Sequence, residues 1–224
     1  MKWRAMSPHF GDFNTEVPDK MIKWAHKNGK TVRGHSLLWA KAANNPDWVQ
    51  ELYGEDFTSA IYERVENTIR HFEEYDVRQW DVINEMVNQG SENHEFYIKN
   101  SGDPDIRAKI FNFVKDLSPD TKFFINDYGI ILNKYGRFKM FQEQIRGLLA
   151  AGAPIDALGL QSHISGSDFV DVNAIKYHVD LLWEEFKMPI FVTEFDWNGD
   201  EHANDPDHQI HAEQVEKFYR LMFR

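Results

Sequence analysis

Two glutamates stand out by their surroundings. Glu85 closes the run QWDVINE, and Glu194 sits near the end of PIFVTEF. Each follows a short stretch rich in β-branched and aromatic residues, the pattern of a buried strand, so both carboxylates fall at strand ends. A pair of facing carboxylates is what glycoside hydrolysis requires: one protonates the departing oxygen, and the other attacks the anomeric carbon or activates water. Asn84 directly precedes Glu85, where its amide can bind a sugar hydroxyl beside the reacting bond. His163 and Asp196 read as support for Glu194, the imidazole orienting the carboxylate and Asp196 fixing the tautomer. Trp3, Trp39 and Trp197 fall at the same end of the strands, where aromatic rings suit the C–H face of a pyranose. Trp24, Trp80 and Trp183 lie in helical stripes or inside a strand and are read as core. His35, His163 and the carboxylates offer donors to a metal, but no two have the i, i+4 or H-x-H spacing of a metal site. No metal and no cofactor is expected.

Residues so far apart in the chain need a scaffold that gathers strand ends. The apolar runs Thr31–Leu38, Gln79–Asn84, Lys122–Asn126, Ala157–Gln161 and Pro189–Phe195 read as strands, and Lys2–Met6 as the tail of a sixth. Helical stripes separate them. Pro18 suits a first turn, Met21, Trp24 and Ala25 share a face, and Asn28-Gly29 is the stop. Thr58 is a plausible N-cap, with Phe57 and Tyr62 as a hydrophobic staple. The later stripes are Ile61/Val65/Ile69/Phe72, Ile106/Ile110/Val114/Leu117, Phe138/Phe141/Ile145/Leu148/Leu149, Ile175/Val179/Leu182/Phe186 and Ala212/Val215/Tyr219/Met222. Alternating strands and helices imply a parallel sheet. No Gly-rich turn follows an early strand, as a doubly wound nucleotide-binding sheet would require. Polar residues instead collect at the C-terminal strand ends, where (β/α)8 barrels place their chemistry. The expected fold is a (β/α)8 TIM barrel, incomplete in this chain, with about six βα units.

Composition narrows the rest. The chain has 224 residues, 42% of them hydrophobic, and a net charge of −11, which suits one domain over 1–224. The negative balance argues against nucleic acid or an anionic membrane surface as partner. There is no apolar run of the roughly 20 residues a membrane span needs. Cysteine is absent, so disulfides and thiolate metal sites are excluded.

The ordered set MKW, VRGHSLLW, WDVINE, FINDYG, LGLQSH and VTEFDW closely resembles the family 10 glycoside hydrolases, whose principal activity is endo-β-1,4-xylanase. The resemblance implies a retaining double displacement on xylan, with Glu85 as general acid/base and Glu194 as nucleophile. It implies that Lys2, His35, Trp39, Asn84, Gln161 and His163 hold the sugar, that Asp196 partners His163, and that Asn126 and Tyr128 belong to the family's Asn-Asp-Tyr element. It also implies a secreted parent protein that is monomeric when complete and acts on xylan or xylo-oligosaccharides. Ala40 departs from the pattern, since many members carry a second His there. The family's first and last strands find no counterpart, so the chain is expected to be a truncated barrel. Two alternatives accompany this reading: an inert or carbohydrate-binding remnant of such an enzyme, and a related β-1,4-glycanase acting on glucan or mannan.

Overall fold

The computed structural model describes residues 1–87, 95–165, 169–198 and 208–223. Helices α1 (Trp3–Met6) and α2 (Glu16–Lys27) precede strand β1 (Leu38–Trp39). Helices α3 (Asp47–Gln50) and α4 (Gly54–Glu73) lead to β2 (Gln79–Asn84), and α5 (Phe96–Ser101) and α6 (Ile106–Leu117) lead to β3 (Lys122–Asp127). Helix α7 (Arg137–Ala150) is followed by β4 (Ala157–Leu160) and β5 (His163–Ser165), then by α8 (Val172–Phe186), β6 (Ile190–Val192), β7 (Asp196–Asn198) and α9 (Gln209–Met222).

Among the described residues these strands make a five-stranded sheet in the order β1-β2-β3-β4-β6 and a separate β5-β7 pair. Every pairing is parallel. The central strands are buried on both faces, from Trp80 to Asn84 in β2 and from Phe123 to Asp127 in β3. That is why they read as near-continuous apolar runs rather than alternating ones. The stripe of α4 packs inward as expected, with Phe57, Ile61, Val65, Ile69 and Phe72 all buried, and α6 does the same through Ile106, Ile110 and Val114. Trp80 is fully buried, as read.

Several expectations are corrected. Lys2–Met6 is no strand tail: Met6 N donates to Lys2 O at 3.1 Å and Ser7 N to Trp3 O at 2.8 Å, closing a turn of helix that buries Trp3 and Met6 three positions apart. A short apolar run does not distinguish the two periods. Among the described residues the main sheet therefore has five strands, with no sixth from Lys2–Met6. The stretch 31–38 runs beside β2, joined to it by the bridge Gly34↔Trp80 and by Leu37 N donating to Asp81 O at 3.0 Å, and is paired as a strand only from Leu38, in Leu38–Trp39. Thr58 is no cap. Helix α4 begins a turn earlier, at Gly54, and the Thr58 hydroxyl donates back to Gly54 O at 2.9 Å. Trp24 and Met21 are about two-thirds exposed and Trp183 nearly half, so they are not core; α2 packs through Ile22 instead. Helix α9 buries Gln214 and Phe218 rather than the stripe through Ala212 and Tyr219.

Trp24 and Met21 border a groove of about 1270 Å³, also lined by Phe13, Val17, Lys2 and His35. It lies on the β1 side of the sheet, and among the described residues β1 and β6 are each paired along one edge only.

Gly34 shows how tightly the sheet is filled. A methyl group there would lie 2.2 Å from the Trp80 ring, which is wholly buried. Gly34→Ala is expected to destabilise the chain by about 1–3 kcal/mol, the range for overpacked cores. A urea midpoint equal to that of the wild type would show that the ring can yield.

Candidate active site

The register of the sheet delivers the site. Asn84, the last residue of β2, lies opposite Asn126 in β3, after a shift in register beyond Asp81. Gln161 directly follows β4, and Thr193 and Glu194 directly follow β6. Parallel strands all end at the same face, so these side chains meet there.

Glu194 is held from several directions. Asn126 Nδ2 donates to its Oε1 at 2.9 Å, and His163 Nε2 stands 3.5 Å from Oε2. The His163 ring is oriented by Asp196, whose Oδ2 is 2.7 Å from Nδ1. The two are register partners in the β5–β7 pair. His35 Nδ1 lies 3.8 Å from Glu194 Oε1 and 2.8 Å from Asp81 Oδ2. Asp81 is wholly buried, and its same oxygen also takes the Arg33 guanidinium.

Glu85 has different company. Its Oε1 accepts from Asn84 Nδ2 at 3.3 Å and from Gln161 Nε2 at 3.2 Å. Its own N–H donates to Asn126 O at 2.9 Å, and its φ is +58°. That left-handed backbone costs a non-glycine residue of order 1–2 kcal/mol. The two carboxylates are connected through amides: Asn84 Oδ1 accepts from Gln161 Nε2 at 3.3 Å and from Asn126 Nδ2 at 3.1 Å.

Lys2 Nζ lies 4.5 Å over the Trp39 ring, which meets His35 edge-on at 5.5 Å. Trp39 is the only one of the three expected sugar platforms that is partly exposed. Trp3 and Trp197 are buried, at 4% and 3% exposure, so they cannot offer open faces. Tyr128 is half-buried beneath Arg137, whose guanidinium lies 3.9 Å from the ring centre. His35, Asp81 and Glu194 place donor atoms within 4.8 Å of one another. The shared Asp81 oxygen already carries Arg33 and faces His35 Nδ1, so Asp81 has its counter-charge in Arg33.

Four contributors were not anticipated. Arg33 and Asp81 support His35 from inside the sheet, and a charge within a buried strand is itself a signal. The Thr193 hydroxyl donates to Asn126 Oδ1 at 2.7 Å. Gly159 leaves space for Asn126: a methyl group there would lie 2.5 Å from Asn126 Oδ1.

The model of the family described as Glycosyl hydrolase family 10 matches residues 1–224. The chain belongs to that family. It is 29% identical over 167 residues to Endo-1,4-beta-xylanase 3 of Hypocrea jecorina, covering 74% of this chain and 47% of that protein. It is 30% identical over 200 residues to Endo-1,4-beta-xylanase B of Thermotoga neapolitana, covering 88% and 56%. The family 10 chain thus spans about half the length of these relatives. Its fold matches that of the intracellular xylanase TsXylA of Thermoanaerobacterium saccharolyticum with a TM-score of 0.86 at 24% identity, over 99% of this chain and 70% of that one. The architecture is therefore the (β/α)8 barrel, of which this chain carries five sheet strands among its described residues.

Beside the site, burial pushes the Asp127 carboxyl up from 3.8 to about 7, against the pull of Arg137 and of the Val87 and Tyr128 N–H groups. The folded chain therefore binds a proton that the unfolded chain releases near pH 4. This contribution to stability is full below about pH 4 and lost as pH rises through about 7. Relative to Asp127→Asn, the wild type should lose stability as pH rises between those limits. Parallel urea midpoints for the two proteins across pH 4–8 would refute this.

Proposed function

We propose that the chain is the catalytic part of a retaining endo-β-1,4-xylanase, with Glu85 as general acid/base and Glu194 as nucleophile. The observation that carries the assignment is the asymmetry of their surroundings. Glu194 accepts from the Asn126 amide and is flanked by His163 Nε2 at 3.5 Å and His35 Nδ1 at 3.8 Å. Glu85 Oε1 is met by neutral amides, Asn84 and Gln161. Two carboxyl groups whose environments differ in this way divide the roles of acid and nucleophile.

In the first step Glu85 gives its proton to the glycosidic oxygen while Glu194 attacks the anomeric carbon, forming a glycosyl-enzyme and releasing the leaving sugar. In the second step Glu85 takes a proton from water, the water displaces Glu194, and the configuration is retained. Asn84, Gln161 and Asn126 are buried at the same face, where their amides orient the two carboxylates, with Lys2 and Trp39 at its margin. Xylan is the proposed substrate because the curated relatives described above are named endo-1,4-beta-xylanases. A mutant of TsXylA has been solved with xylotriose. Secretion of the whole protein belongs to the same proposal. A second reading, a chain that binds xylo-oligosaccharide without turning it over, is favoured by the singly paired β1 and β6 edges.

Glu194→Ala is expected to abolish turnover of every xyloside. Glu85→Ala should lose about 10²–10⁴-fold on xylan but keep most of kcat/KM on an aryl xylobioside with a good leaving group, with azide raising kcat. Equal losses on both substrates with no azide rescue would sink the division of roles. Binding of xylo-oligosaccharide by calorimetry without wild-type turnover would select the second reading.

A further inference from the structure

Glu85 holds an unfavourable backbone conformation, so something must over-determine it. The residues around it show what does. Its own N–H is tied to Asn126 O at 2.9 Å, and two residues on, Val87 N donates to Asp127 Oδ2 at 2.8 Å. The segment that turns at Glu85 is thus fastened on both sides to consecutive residues of β3. Met86 and Val87 are buried.

Asp127 is itself immobilised. Its Oδ1 accepts from Tyr128 N at 2.9 Å and from Arg137 Nη2, while Arg137 Nε donates to Tyr128 O at 2.8 Å. Both side chains of the pair are wholly buried. Gly129 lets the arginine approach: a methyl group there would lie 3.0 Å from Arg137 Cδ. Asp127 O also accepts from Gln161 N at 3.0 Å, and Gln161 Nε2 reaches Glu85 Oε1 at 3.2 Å. The same residue therefore places a side-chain partner of Glu85 as well as its backbone.

Stability alone is a poor account of this pair. A buried ion pair gains little over apolar packing, and this one leaves Arg137 Nη1 without a hydrogen-bond partner among the described residues. What it secures is geometry at Val87 and Glu85. We infer that Asp127 and Arg137 are positioning residues for the acid/base, holding the turn at Glu85 so that its carboxyl meets the leaving oxygen. This rests on the role proposed for Glu85.

The test separates positioning from folding by the demand the substrate makes on the acid. In Asp127→Ala and in Arg137→Gln, kcat on xylan should fall about 10–100-fold, the cost of a misplaced group, with KM changed less than about threefold. In the same variants kcat/KM for an aryl xylobioside with a dinitrophenol leaving group should stay within about threefold, since that departure needs little protonation. A proportional loss on both substrates, or no loss on either, would overturn the inference. Amide hydrogen exchange reads the same device without turnover. Val87 and Glu85 should exchange at least about tenfold faster in Asp127→Ala while Trp80–Ile83 keep their protection. Unchanged exchange at Val87 would overturn it too, even if the wild-type chain proved inactive and the proposed activity had failed separately.

Discussion

Asn126 donates from one nitrogen to Asn84 Oδ1 at 3.1 Å and to Glu194 Oε1 at 2.9 Å, while its oxygen accepts from Thr193 Oγ1 at 2.7 Å. A single buried carboxamide thus joins the ends of β2, β3 and β6. Its position depends on the parallel register that sets Asn84 against Asn126, and on a neighbour at 159 that has no side chain. Whatever the two glutamates do, their separation is set by this amide and by the strands that carry it, so the geometry belongs to the sheet rather than to flexible loops.

Around that amide the sheet tolerates charges that its interior would otherwise exclude. Arg33 and His35 share Asp81, and Arg137 takes Asp127, with both aspartates fully buried. Each group stands one step behind a residue facing the site. Asp81 stands behind His35, and Asp127 stands behind the segment following Glu85. Removing one member would leave its partner dry and without its counter-charge, at a cost of about 3–5 kcal/mol.

The site was more legible in the sequence than the scaffold's edges. Glu85, Glu194, Asn84, Asn126, Gln161 and the His163–Asp196 pair come together because each lies at or just beyond a strand end, and strand ends are marked by apolar runs stopping at polar residues. The interior charges were hidden because Asp81 and Arg33 sit inside such runs and look like interruptions. Trp24 misled for a physical reason. Periodicity marks the apolar face of a helix but cannot say whether anything covers it, and here α2 turns that face to a groove. Trp3 and Trp197 misled in the opposite direction, because proximity to strand ends does not distinguish a ring laid open to a ligand from one packed beneath it.

The β5–β7 pair lies outside the main sheet and is two strands wide. Its register sets Ile164 against Trp197 and His163 against Asp196, and the alternation of side chains along a strand puts the first pair inside and the second outside. The ribbon turns Ile164 and Trp197 into the core, where Trp197 meets the rings of Phe169 and His211, while presenting the histidine that flanks Glu194. A ribbon two strands wide opens at lower free energy than the five-stranded sheet beside it. On the proposed reading, warming would silence the nucleophile's support before the barrel strands part, and cooling would restore it. Loss of catalysis and loss of fold would then be two separate thermal events in one molecule.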